Sequence, residues 1–301
     1  MLHKSKRILI GIPILFFPFL SLFAQLPVNG FYPKKNTLTI APSYAFKNFD
    51  QFYRGTTLAE GNPAGQGEIT SDIINLYAQY AITDWLSGTV TLPYINVISE
   101  DNIPDPVQEV TEVDDLQDLG IYLKSRITEK KFEDNSRFTL GGAAGVSFPV
   151  SDYEGAGVLS IGNQATTVNG SVLALYSLPF NIFTEVQLGY SYRDSDDFDI
   201  PNAMLYSAKI GYHNEFIYLH AQLDIQDSMS GFDIGTPEFA EAGAAAILPE
   251  TEVDYTNLRF DFYVPVYKNS IGLSAGYGVT LNGRNFSKEE AFSFGLVYNA
   301  Y

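Results

Sequence analysis

Cysteine is absent from this chain of 301 residues, tryptophan occurs once and histidine three times. Without Cys there is no disulfide framework of the kind that holds many small exported domains. Basic residues are scarce too: 18 Lys and Arg stand against 35 Asp and Glu, a net charge of −17. So acidic a chain has no electrostatic footprint for nucleic acid. Long apolar runs are missing from the body of the sequence. The longest helical candidate there, Ala242 to Leu248, is small-residue rich and far short of the ~20 residues a spanning helix needs.

The N-terminus is the exception. Lys4, Lys6 and Arg7 precede an apolar stretch from Ile8 to Phe23, which Pro13 and Pro18 interrupt, and Ala24 offers a small residue before Gln25. A basic start, an apolar middle and a small residue at the cut describe a secretory signal peptide over residues 1–24, leaving one domain over 25–301. Loss of the leader removes three basic residues and leaves a net of −20.

What is abundant is aromatic and alternating. The chain holds 20 Tyr and 22 Phe. Apolar residues recur at every second position in segments of about ten, the period of a strand with one apolar face. Ile74, Leu76, Ala78, Tyr80 and Ile82 alternate with Asn75, Tyr77, Gln79 and Ala81. Leu258, Phe260, Phe262 and Val264 stand opposite Asn257, Arg259, Asp261 and Tyr263. Twelve segments follow from this pattern, near 36–47, 72–83, 86–97, 118–128, 137–148, 169–178, 182–193, 203–213, 215–226, 254–265, 270–281 and 290–301. The sixth, at Ser171 to Leu178, alternates least cleanly.

The connections alternate between short and long. Short ones lie at Thr83 to Trp85, Thr128 to Ser136, Pro179 to Asn181, His213 to Asn214 and Tyr267 to Asn269; long ones span 48–71, 98–117, 149–168, 194–202, 227–253 and 282–289. A soluble β-sandwich also alternates, so alternation alone does not discriminate. The connection rhythm does, together with aromatics near segment ends at Tyr44, Phe46, Tyr94, Tyr190, Tyr192, Tyr212 and Tyr298. The expected fold is therefore all-β: a transmembrane, antiparallel up-and-down β-barrel of about 12 strands. Short periplasmic turns and long extracellular loops join them, and an even count puts both termini in the periplasm.

Two stretches carry a resemblance. Tyr77 to Tyr94, reading YAQYAITDWLSGTVTLPY, and Asp114 to Arg126, reading DDLQDLGIYLKSR, resemble the bacterial outer-membrane family called the MetA pathway of phenol degradation family. The resemblance implies an outer-membrane channel or facilitator for a small solute, hydrophobic or aromatic in character.

If the apolar set faces lipid, the alternate set faces the lumen. It comprises Lys124, Arg126, Glu185, Gln187, Lys209, His220, Gln222, Asp224, Arg259 and Asp261. Two readings stand: an interior plugged by ion pairs, since buried charge must be compensated, or a polar constriction that selects solutes. Gly141, Ala143, Gly145 and Ser147 on one segment, and Gly272, Ser274, Gly276 and Gly278 on another, are expected to leave space or to relieve barrel curvature.

Acid gathers in the loops. Eight carboxylates lie between Glu100 and Asp118, and Asp194, Asp196, Asp197 and Asp199 form a second group. Neither has the spacing of a calcium loop, and solvated charge is the expected reading. Thr236 is placed to cap a short helix at Pro237 and Glu238, which would fold over or into the barrel mouth. An enzyme is not indicated. His213 and His220 are the only histidines after the leader, neither is followed two residues later by Ser, and Gly-x-Ser-x-Gly is absent. The expected partners are membrane lipid, a small solute and the barrel-assembly machinery, with no cofactor, metal or nucleic acid. A structural or surface-interaction barrel, with plugged lumen and acidic ion- or partner-binding loops, is the alternative.

Overall fold

A computed structural model describes residues 27–268 and 270–301. The leader assigned to 1–24 lies outside the described residues. The alternating segments form strands because each can bury one face and expose the other. The strands are β1 (Leu38–Phe49), β2 (Gln51–Arg54), β3 (Thr57–Glu60), β4 (Ile69–Ala81), β5 (Leu86–Ser99), β6 (Glu112–Leu116), β7 (Asp118–Lys131), β8 (Arg137–Pro149), β9 (Thr166–Ser177), β10 (Ile182–Asp194), β11 (Ala203–His213), β12 (Tyr218–Ser228), β13 (Asp254–Tyr267), β14 (Ile271–Arg284) and β15 (Glu290–Ala300). Helix α1 (Pro237–Ala242) and a 3-10 turn over Ala244–Glu250 complete the set.

Twelve strands close into one antiparallel up-and-down barrel, with β1 paired to both β4 and β15. The other three strands belong to connections. β2 and β3 make a hairpin between β1 and β4, and β6 runs against the far end of β5. Sequence pattern missed these pieces because each is only four or five residues long.

Several boundaries move for local reasons. β12 begins at Tyr218 rather than 215, because the Asn214 side chain accepts from the Phe216 and Ile217 amides and turns the chain there. β9, the poorly alternating segment, runs from Thr166 and is held by continuous ladders to β8 and β10.

The wall is apolar outside and polar inside. On β10, Val186, Leu188, Tyr190 and Tyr192 are exposed while Glu185, Gln187 and Ser191 are buried. Ile74, Leu76 and Tyr80 on β4, and Phe292, Phe294, Leu296 and Tyr298 on β15, continue the outer apolar surface. An apolar belt of this extent, around a polar interior, suits hydrocarbon rather than water.

Candidate functional site in the barrel interior

Barrel register assembles the inward residues into rows. Glu185, Lys209, Gln222 and Arg259 are successive cross-strand partners across β10, β11, β12 and β13. In the row on one side, Gln187, Ser207, Asp224 and Asn257 are aligned; on the other, Phe183, Gly211, His220 and Asp261. Lys124 and Arg126 come from β7, across the intervening β8 and β9.

Most of these charges are compensated at short range. Lys209 Nζ lies 3.3 Å from Glu185 Oε1. Asp261 Oδ2 accepts from Arg259 Nη2 at 3.1 Å and stands 3.1 Å from His220 Nε2. Arg126 reaches Glu129 at 3.1 Å beside a bulge in the β7–β8 pairing, and Glu129 also meets Arg137 at 3.5 Å. Gln222 donates to Asp224 at 2.7 Å and Gln187 to Ser171 at 3.2 Å.

One stretch of wall is not satisfied. Among the described residues, Gln222 Oε1, Asp224 Oδ2, both amide atoms of Asn257 and Arg259 Nη1 are buried without a hydrogen-bond partner. They lie on adjacent positions of β12 and β13. Each such group costs about 1–3 kcal/mol when dry.

The segment before β1, to which alternation assigned no role, enters the barrel. Val28, Asn29, Gly30 and Phe31 are buried. Lys124 Nζ donates to the carbonyl oxygens of Asn29, at 2.7 Å, and of Phe31, and the Gly30 amide donates to Glu185 Oε2 at 2.7 Å. The Phe31 ring meets Phe183 edge-on at 5.0 Å, with His213 and Tyr218 nearby at 5.8 and 6.2 Å. Tyr32 lies against Lys124 and Arg126, 4.6 and 5.6 Å from its ring centre. The available signal was an apolar and aromatic cluster at Val28, Phe31 and Tyr32, just ahead of the first alternating segment.

Of the two readings of the small inward residues, open space does not hold beside Gly141, Gly145 and Gly272. A Cβ on Gly141 would collide with the Tyr32 hydroxyl, one on Gly145 with the Tyr122 ring, and one on Gly272 with the Tyr263 ring. These glycines make room for tyrosines.

At the long-connection end the loops are tied to one another. Thr236 Oγ1 accepts from Phe239 N at 3.3 Å at the start of α1, and Phe239 is buried. Asp233 takes Arg284 Nε and Nη2 at 2.8 Å each, while Arg284 Nη1 bonds Glu252. The Arg284 guanidinium holds Asp233 below the usual carboxylate range, whereas partial burial pushes Glu252 up. One acidic-loop residue departs from the solvated reading. Asp105 is fully buried and accepts from the amides of Val107, Gln108, Val158 and Leu159, tying two loops together. No group of three or more metal-ligating side chains is found among the described residues.

A closed barrel with a lipid-compatible outer surface and a polar interior defines the class: an outer-membrane β-barrel. The fold is similar to that of the COG4313 outer membrane channel from Pseudomonas putida F1, with 17% identity, a TM-score of 0.67 and coverage of 89% of this chain and 96% of that one. It is also similar to the NanC porin, with 12% identity, a TM-score of 0.51 and coverage of 87% and 98%. No family model and no curated protein matches the sequence.

Proposed function

We propose that this chain is an outer-membrane channel for a small solute, made as a precursor whose residues 1–24 direct export. The observation that carries this reading is the unsatisfied wall at Gln222, Asp224, Asn257 and Arg259. A purely structural core would have little reason to bury five polar atoms without partners, whereas water or a polar solute group in a lumen satisfies them. Lys124, Arg126, Glu185, Gln187, Lys209, His220 and Asp261 complete the lining in this reading. The fold-level likeness to a channel and a porin agrees with it.

In the proposed orientation the connections at 82–85, 132–136, 178–181, 214–217 and 268–270 face the periplasm with both termini, and the longer loops face outward. The resemblance of Tyr77–Tyr94 and Asp114–Arg126 to the phenol-degradation family favours a hydrophobic or aromatic solute. The partners are then membrane lipid, that solute and the barrel-assembly machinery. No reaction is assigned: His220 lies against Asp261 within the charged row and is enclosed by the wall.

A second reading, a plugged structural barrel acting through its acidic loops, is favoured by one observation, the occupation of the interior by residues 28–32. Conductance and solute-dependent swelling of liposomes holding the refolded, leader-free chain separate the two. Graded permeation supports the channel; silence from a barrel shown to be folded supports the plugged form.

A further inference from the structure

We propose that residues 28–33 are a displaceable plug of the barrel, and that Lys124 and Glu185 form the latch that seats it; this rests on the channel reading.

The first ground is what the latch grips. Lys124 takes the carbonyls of Asn29 and Phe31, and also reaches Asn29 Oδ1 at 3.3 Å, while Glu185 takes the amide between them, at Gly30. A cation and an anion from opposite sides of β8 and β9 thus bind three backbone groups of one extended segment. Charge-assisted bonds of this kind are strong, and all of them are made to backbone groups that water can equally serve.

The second ground is what the barrel does without the segment. Residues 27–33 pair with no strand, and all the barrel ladders close from Leu38 onward. Withdrawal breaks no ladder hydrogen bond. It also leaves Glu185 compensated, because Lys209 holds its other oxygen at 3.3 Å. Lys124 is the group that changes partners: its bonds to Asn29 and Phe31 must pass to water in the opened lumen.

The third ground is the seat and the pivot. A side chain at Gly30 would place its Cβ 2.7 Å from Leu175 Cβ and 3.0 Å from Glu185 Oε2, so the segment fits only where the backbone lies flat on the β9–β10 wall. The chain then leaves the barrel through exposed Lys34 and Lys35, whose anchor is a bond from the Lys35 amide to Asp84 at 2.7 Å. Asn36 turns back into β1 with a positive φ of 68°. Residues 27–32 are joined to the barrel strands through that point.

Withdrawal opens the short-connection end of the lumen and wets the unsatisfied wall on β12 and β13. The plug is thus a gate at one end of the polar row.

The test is single-channel conductance in planar bilayers of the full leader-free chain, a variant lacking residues 27–33, and Gly30→Val. All are first shown to be folded by their heat-dependent migration in detergent gels. Gly30→Val leaves the wall intact and only unseats the segment, so it stands in where the deletion does not fold. The expected result is a several-fold higher conductance or open time in both variants. A synthetic peptide of residues 27–34, PVNGFYPK, added on the short-turn side should return the deletion variant to the level of the full chain. Equal conductance of all three overturns the plug while leaving the channel. Silence of all three folded barrels overturns the channel reading and the plug together. A raised conductance that the peptide leaves unchanged overturns the latch.

Discussion

Lys124 and Glu185 lie on strands that do not pair, yet they close on the two ends of one peptide group. The ammonium holds the Asn29 carbonyl and the carboxylate holds the Gly30 amide, each at 2.7 Å. A segment outside the β-sheet is thereby fixed inside it. The energetics of this interior, and of the tied loops at its far end, lead to four expectations beyond the conductance test.

Replacing Lys124 with Met removes the donor to two carbonyls while keeping the length of the side chain. Hydrogen bonds to charged groups are worth about 1.5–3 kcal/mol, which corresponds to roughly tenfold or more in local opening. The Gly30 amide should exchange with deuterium at least that much faster in Lys124→Met, read by mass spectrometry of the fragment containing it. Unchanged exchange would mean that aromatic packing of Phe31 holds the segment unaided.

Arg259 and Asp261 make a buried pair on the inner wall of β13. Removing one partner leaves the other charge facing the lumen. In a salt gradient, Asp261→Asn should move the reversal potential toward anion preference, and Arg259→Met toward cation preference. Each should also lower stability by about 3–5 kcal/mol, as loss of one member of a buried pair does. Identical reversal potentials in the two variants would remove this pair from the permeation path.

Gly145 and Gly170 separate crowding from composition. A Cβ at Gly145 meets the Tyr122 ring and the Ile121 carbonyl, whereas at Gly170 nothing lies within 4 Å. Gly145→Val should cost about 1–3 kcal/mol by overpacking, and Gly170→Ala should stay within about 0.5 kcal/mol of the parent. The denaturant midpoint of the folded band on gels measures both. Equal midpoints would show that the tyrosine yields without cost.

Acid should loosen the 229–253 loop. Asp233 has a lowered pKa, from its bonds to Arg284 and Asn285. A carboxylate whose folded value is depressed contributes stability that is full above its unfolded pKa, about 3.9, and is lost as pH falls through the lower folded value. Proteolysis of this loop by an acid-active protease should therefore rise below about pH 4, relative to pH 6. The rise should be absent in Asp233→Asn, which is already loosened at pH 6. A flat profile in the parent would mean that the loop is held by its apolar contacts, Ile234 and Phe239 among them.

Much of this molecule was legible in the linear pattern. The period-two alternation placed twelve barrel strands because a strand between lipid and a polar interior must change character at every residue. The same alternation pointed Lys124, Glu185, Lys209, His220, Asp224, Arg259 and Asp261 to one side of the wall. Thr236 announced α1, since a threonine before Pro237 can cap the first free amides.

Other features had no local signal. Glu185 and Lys209 face each other, and Gln222 faces Arg259, only through barrel register, which depends on turn geometry and closure rather than on any one strand. The space beside Gly141, Gly145 and Gly272 was filled by tyrosines from the N-terminal segment and from the adjacent paired strands, because a glycine's neighbour is chosen by strand register and chain insertion and not along the chain. Asp105 reads as one more loop carboxylate until four amides from two loops converge on it. The sequence alone determined that a barrel forms, because alternation comes with a short–long rhythm of connections and aromatics at segment ends, and which side chains turn inward, because that follows from alternation. Tertiary structure decided that residues 28–32 occupy the interior, because the grip of Lys124 and Glu185 on Asn29, Gly30 and Phe31 exists only once the barrel has closed around them.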